Sequence, residues 1–319
     1  MYSCDSIEID LSEICNLKCA QCTHNAPYFT PSNPPYQFEQ FEQDIRILSQ
    51  KVHFKAVRIL GGEPLMNKNL INFIHCLVKS KITEQIVLVT NGMLLDQVTP
   101  QIFELITSLR VNVYPSDSTI IEKIKQNVTK LRKTCPNLNI IANRIRYFSK
   151  TNTIEKNKDK ILVTKIYNKC IAGVDGFNLY NGRIYRCFAS RRKYQYLKHH
   201  EALVKDSFEY LNNPCIDSIK IIPEYNEFDW KIFFEQTTPL VACDWCLGCS
   251  GKTFKHEQLN TYESDISTLE DLDFVAGESY LSNCMLSWAW NTQETLKDNP
   301  FFKAEHVKDY FKYFTIPPF

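Results

Sequence analysis

No apolar stretch among these 319 residues approaches the roughly 18 that a membrane span requires. The amino-terminal run MYSCDSIEID also lacks the basic region and following apolar segment of an export signal. An excess of one charge is missing too: 37 Lys and Arg against 36 Asp and Glu leave +1, too little to draw in a nucleic-acid backbone. These absences predict a soluble, cytoplasmic protein with no nucleic-acid partner and no membrane contact. Cysteine, by contrast, is plentiful, at 13 residues. Disulfide frameworks belong to exported and mostly smaller proteins, so this number points to metal ligation in a reducing compartment. The length allows a substantial core, divided into one large domain and a smaller appendage.

Cys15, Cys19 and Cys22 stand in ICNLKCAQC, just after the apolar segment IEIDL. A trio with unequal gaps can hold three corners of a cubane iron–sulfur cluster, and no fourth cysteine nearby closes the set, so one iron is left open to a non-protein ligand. A structural zinc site would need four ligands, and here only His24 is at hand as the fourth. Downstream comes RILGGEP at 58–64. CxxxCxxC at the end of a first strand, followed by GGEP, resembles the radical S-adenosylmethionine (radical SAM) superfamily. The resemblance implies that a [4Fe–4S] cluster on Cys15, Cys19 and Cys22 is chelated at its open iron by the methionine moiety of S-adenosylmethionine (SAM). It further implies that Gly61, Gly62, Glu63 and Pro64 hold the methionine amino group. Glu63 is a suitable acceptor for an ammonium, and the two glycines let the backbone come close. One departure stands out: Gln21 occupies the place where the family usually has an aromatic residue beside the last cysteine, at the adenine contact.

From residue 7 to about 148 short apolar runs alternate with amphipathic segments. IEIDL, AVRIL, QIVLV, VNVY and NIIANRIRYF read as strands; FEQFEQDIRILSQKV, NLINFIHCLVKSK, TPQIFELITSL and STIIEKIKQNVTKLRK read as helices, their apolar residues recurring every three or four positions. Strand and helix in turn predict an α/β fold with a parallel sheet and right-handed crossovers, whose ligands bind at the carboxyl ends of the strands. The cysteine loop, GGEP, Thr90-Asn91-Gly92 and Pro115-Ser116-Asp117 follow the first four strands in that order. The resemblance implies a partial (β/α)6 TIM-like barrel. Taken alone, Asn91-Gly92 is a turn and Ser116-Asp117 a helix N-cap; the resemblance adds contacts from Thr90, Asn91 and Ser116 to the methionine or ribose of SAM. Arg144 and Arg146 lie two residues apart on the fifth strand, and one of them, taken as Arg146, is expected to face the barrel interior near the cofactor carboxylate, an outward salt bridge being the alternative.

In the second half, Cys170 precedes GFNLYNGRIYRCF, where two alternating runs flank Asn181-Gly182, a hairpin signal that puts Cys187 near the hairpin base. CDWCLGC then supplies Cys243, Cys246 and Cys249. Cys170, Gly182-x4-Cys187 and Cys243-x2-Cys246 resemble the auxiliary-cluster domain of the SPASM/twitch branch, which implies a single auxiliary [4Fe–4S] cluster on Cys170, Cys187, Cys243 and Cys246. Two cysteine pairs across a hairpin are also compatible with a zinc ribbon. Cys249 would replace one ligand or serve as a hydrogen-atom donor; Cys284 is left over. Cys76 reads as a core residue, and Cys4, Cys135 and Cys215 have no ligand spacing. The basic run RIYRCFASRRKYQYLKHH reads as a solvated face, or as arginines that raise the cluster potential or receive an acidic substrate group. The resulting domains are a core over 1–160, extendable to about 215, an auxiliary domain over 165–253 and an aromatic extension over 254–319 with the amphipathic helix FFKAEHVKDYFKYF.

In the implied chemistry an electron, from a donor such as flavodoxin or ferredoxin, reaches SAM through the cluster. The resulting 5′-deoxyadenosyl radical takes a hydrogen atom from an unactivated substrate carbon. Oxidation by the auxiliary cluster would make this a dehydrogenation; a hydrogen atom returned by Cys249 would make it an epimerisation. A cysteine motif starting at residue 15 leaves no room for a peptide leader-binding domain, favouring a small polar substrate, anionic ones included: a sugar, aminocyclitol or nucleotide sugar. The alternatives are a ribosomal-peptide maturase (peptide epimerase or crosslinking enzyme), a glycyl-radical activating enzyme, and a non-enzymatic iron–sulfur or zinc scaffold, the last of which leaves GGEP unexplained.

Overall fold

The computed structural model describes residues 1–29, 36–114, 117–145, 147–172, 176–204, 212–275 and 314–315. Five parallel strands, β1 (Tyr2–Ser12), β2 (Val52–Gly61), β3 (Thr83–Thr90), β4 (Ser108–Val113) and β5 (Asn139–Ile145), lie side by side in chain order. Helices α1 (Phe38–Leu48), α2 (Leu70–Ser80), α3 (Gln101–Leu105) and α4 (Ser118–Thr134) connect them. This is the parallel α/β core that the alternating pattern predicts.

Period-two alternation divides β1 between two environments. Ile7, Ile9 and Leu11 are buried in the core that also holds Phe41 and Ile45 of α1 and Phe73 of α2, each such side chain contributing about 2 kcal/mol relative to exposure. Ser6, Glu8, Asp10 and Ser12, the alternate residues, are buried as well. A sheet face turned to solvent would not bury four polar side chains along one strand, so this face of β1 looks onto a polar interior.

One predicted helix is cut short. TPQIFELITSL forms a helix only over Gln101–Leu105, because Ile106 is already extended and Thr107 donates both its N–H and its hydroxyl to the Ile86 carbonyl. Pairing of Ser108 and Leu109 with β3 then continues the ladder. Sheet hydrogen bonding to β3 overrides the helical periodicity of ITSL.

The predicted hairpin is present: β7 (Asn178–Tyr180) and β8 (Arg183–Tyr185) pair antiparallel around Asn181 and Gly182, whose φ values of 47° and 77° are those of a tight primed turn. Rather than standing apart, it extends the main sheet. β7 pairs parallel with β1, Glu8 opposite Asn178, and β8 pairs with β9 (Ser218–Lys220), giving the order β5-β4-β3-β2-β1-β7-β8-β9. Beyond β5 the chain forms β6 (Tyr147–Ser149), which pairs with β10 (Thr253–Lys255) in a separate two-stranded sheet. Helices α5 (Lys160–Asn168), α6 (Phe188–His199) and α7 (Glu227–Glu235) complete the second half, and Phe314–Thr315 pair with β5. No helix among the described residues is long and apolar enough to cross a membrane.

Candidate functional site: two thiol clusters joined by buried polar bonds

The loop after β1 is moulded by the end of β2. Gly62 N donates to Ser12 O at 2.5 Å and Glu63 N to Ile14 O at 2.9 Å. A Cβ on Gly61, where φ is +138°, would stand 2.1 Å from Ser12 O, and one on Gly62 would stand 2.2 Å from Ile14 O. Only glycine allows this backbone-on-backbone contact. Glu63 is fully buried, its Oε1 accepting from Leu65 N (3.1 Å) and Thr90 Oγ1 (2.7 Å) and its Oε2 from Asn91 N (2.8 Å). Burial raises the carboxyl pKa, against these hydrogen bonds. Asn91 Nδ2 in turn reaches Asn16 Oδ1 at 2.6 Å and Cys15 Sγ at 3.7 Å. Thr90 and Asn91 therefore tie the end of β3 to Glu63 and to the cysteine loop. Pro64 opens the turn Pro64–Met66. Ser116 and Arg146 lie outside the described residues; Asp117 caps α4 by accepting from Thr119 N at 2.7 Å.

The start of the aromatic extension, residues 257–259, lies along the cysteine loop. Ala20 N donates to Glu257 O and Leu259 N to Lys18 O, Lys18 N donates to Gln258 Oε1 at 2.8 Å, and Gln258 Nε2 lies 3.7 Å from Cys19 Sγ. Burial pushes the Cys15 thiol up to about 12, and burial also raises Cys19 and Cys22, with mutual repulsion among the thiols adding to the shifts of Cys15 and Cys19. Tyr114, just past β4, is raised by burial and next by Cys19, Cys22 and Cys15, which puts its hydroxyl beside the trio.

Gln21 has a specific employment. In the left-handed region at φ 49° and almost wholly buried, it donates its N–H to Asp265 Oδ1 (2.6 Å) and Nε2 to Asp265 O (2.5 Å), while Oε1 accepts from Thr151 N (3.1 Å) and Asn152 N (3.2 Å). An aromatic ring makes none of these bonds. His24, the fourth ligand a zinc site would require, stacks on Phe188 at 5.2 Å and has Nδ1 4.0 Å from Asp10 Oδ1.

Cys170, Cys187, Cys243 and Cys246 line one cavity together with Lys193. Cys170 follows α5, Cys187 is the N-cap of α6, and Cys243 and Cys246 belong to or follow the turn Val241–Trp245. Lys193 is fully buried, its Nζ 2.5 Å from Asn152 Oδ1; burial lowers its pKa and the four cysteines oppose this. Cys249 is not among the cavity's walls, and Cys284 lies outside the described residues.

The basic run is not a solvated face. Arg191, Arg192 and Lys193 are 7%, 1% and 0% exposed. Arg191 bonds Asp10 Oδ2 at 2.6 Å and Glu13 Oε1 at 2.5 Å, and Arg192 also pairs with Asp10. The two guanidiniums hold Asp10 at about 2 despite its burial. The hydrophobic pattern of α6 is weak, and the sequence carries no sign that its charges find partners on β1.

No disulfide joins any of the described cysteines. Among the described residues no three His, Cys, Asp or Glu side chains converge as a single ion would need; around a cubane each thiolate takes a different iron. Desolvated thiols crowded in this way become thiolates only when a cation joins them. Three thiols at a strand end, and four around a cavity with an ammonium, are donor sets that fit iron–sulfur clusters.

Residues 9–142 match the family model described as Radical SAM superfamily. Among curated proteins, GTP 3′,8-cyclase of Rhodopirellula baltica is 33% identical over 93 residues, covering 28% of this chain and 26% of that protein. GTP 3′,8-cyclase of Petrotoga mobilis is 33% identical over 95 residues, 29% of each. This chain thus spans under a third of the length of these curated relatives. Among solved structures, BtrN in complex with AdoMet and 2-DOIA is 15% identical with a TM-score of 0.44, covering 78% of this chain and 96% of that one. Native anSMEcpe with bound AdoMet and Kp18Cys peptide is 12% identical with a TM-score of 0.44, covering 91% and 99%.

Proposed function

We propose that this chain, whose residues 9–142 match the family model described as Radical SAM superfamily, is a radical SAM enzyme that dehydrogenates a small polar substrate, with a second [4Fe–4S] cluster as electron acceptor. When bound, the cofactors supply a 5′-deoxyadenosyl radical that takes one hydrogen atom; loss of an electron to the second cluster and of a proton to a base completes the two-hydrogen oxidation. Cys15, Cys19 and Cys22 hold the SAM-binding cluster. Among the described residues Glu63 Oε2 accepts from Asn91 N alone and keeps a lone pair for the methionine ammonium. Thr90, through Oε1, fixes the orientation of that carboxylate.

The observation that carries this reading is the cavity walled by Cys170, Cys187, Cys243, Cys246 and Lys193, a second thiol set with its own buried cation. The substrate class is supported by the polar side of β1 and by Arg192, whose buried Nη1 has no hydrogen-bond partner among the described residues and suits an anionic group. A small electron-transfer protein, flavodoxin or ferredoxin in kind, supplies the reducing electron. Epimerisation is the second reading, favoured by Cys249, which stands three residues past Cys246 yet outside the walls of the cavity and would act as the hydrogen-atom donor.

Anaerobic iron and sulfide analysis tests the cofactors: about eight irons fit two cubanes, about four remove the second cluster, and zinc in its place removes the dehydrogenation reading. Turnover of candidate metabolites in deuterated water separates the reactions. A two-hydrogen mass loss marks dehydrogenation, and deuterium at a substrate carbon marks epimerisation.

A further inference from the structure

His256 is 4% exposed, and neither ring nitrogen has a hydrogen-bond partner among the described residues. Leaving a buried polar atom unpaired costs about 1–3 kcal/mol, so an imidazole with both nitrogens in this condition points to a missing partner. Its surroundings indicate which. The ring lies 5.2 Å from Tyr114 and 4.8 Å from Phe148, and those two rings meet edge to face at 5.6 Å. Tyr114 is beside the cysteine trio, and two residues beyond His256 the Gln258 side chain reaches Cys19. Burial lowers His256 to about 4, so at neutral pH it presents one N–H donor and one nitrogen acceptor.

We propose that His256, set against Tyr114 and Phe148, recognises the adenine ring of SAM. This rests on the radical SAM reading. Glu63 claims the methionine ammonium at the end of β2, and the backbone of Tyr114 follows β4, two strands along, roughly 10 Å from that strand end at about 4.8 Å per strand, its hydroxyl reaching back toward the trio. The ribose joined to the sulfonium spans such an interval. Tyr114 and Phe148, set edge to face, each offer a flat apolar ring face a purine stacks on, and the unpaired imidazole meets its hydrogen-bonding edge. They also supply what Gln21, committed to Asp265, Thr151 and Asn152, does not.

The test compares ligands on the reconstituted, reduced enzyme by the electron paramagnetic resonance signal of the SAM-binding cluster. Methionine alone engages the open iron; SAM adds the adenosyl group. In His256→Phe, matched to wild type in iron content and thermal midpoint, SAM affinity falls about tenfold or more, as loss of one buried hydrogen bond requires. Methionine affinity is unchanged, and His256→Gln restores part of the SAM affinity. SAM affinity within twofold of wild type, or an equal loss for methionine and SAM, overturns the adenine assignment alone. A wild-type cluster that SAM does not perturb overturns the radical SAM reading and this inference together.

Discussion

A methyl group on Gly62 would stand 2.2 Å from the Ile14 carbonyl oxygen and 3.0 Å from the Cys15 amide nitrogen, both backbone atoms that no rotamer change can move aside. Gly62→Ala must therefore push the cysteine loop off the end of β2, at about 1–3 kcal/mol. The expected outcome is a lower thermal midpoint in the apo protein and a SAM-binding cluster that loads poorly, measured as lost iron with the auxiliary signal retained. Thr90→Val removes the hydroxyl that donates to Glu63 and accepts from Gly92 N at 3.1 Å, leaving two buried groups short of a partner at about 1–3 kcal/mol each. SAM titration of the loaded variant should show weaker binding at normal iron content. These residues were legible because glycine, cysteine and a buried acid have few uses at such spacing. Gln21 and His256 were not, because what defines them is far away: Gln21 bonds residues 244 and 130 positions on, and no local pattern encodes that.

At the scale of elements, the hairpin and most helices could be read because turn chemistry and periodicity are local. The α3 segment could not, since a sheet ladder took ITSL from the helix, and α6 could not, since its charges are paired across the fold. That helix presents Arg191 and Arg192 to Asp10 and Lys193 to the four-thiol cavity. A fixed cation beside a cluster favours its more negative, reduced form. Lys193→Met should therefore shift the auxiliary midpoint to more negative potential by about 60 mV or more, tenfold for a one-electron couple, while Lys193→Arg stays near wild type. Redox titration followed by electron paramagnetic resonance checks this; a midpoint unchanged in Lys193→Met would show that the ammonium does not act on the cluster.

Across the whole molecule the sequence presents two separate cysteine constellations, yet the fold makes them one buried assembly. Asn152 is the junction. Its N–H donates to Gln21, between two thiols of the trio, and its Nδ2 donates to Asn25 Oδ1 at 2.8 Å. Its Oδ1 accepts from Lys193, and its backbone bridges to Cys246. Asn152 is 1% exposed, so water cannot replace these bonds. Asn152→Leu would strand a buried ammonium and the Asn25 carbonyl oxygen together, a loss of about 3–5 kcal/mol if the charge stays uncompensated. Independent sites would let such a change disturb only the nearer cluster. A shared junction requires that both respond: iron retention should fall at the SAM-binding and the auxiliary site alike, and both paramagnetic signals should broaden. Asp117→Ala, which removes the exposed cap of α4, should lower the thermal midpoint slightly without altering either signal. An Asn152→Leu protein in which only the auxiliary signal changes would mean that the polar bonds to Gln21 and Asn25 join the two halves without coupling their metal sites.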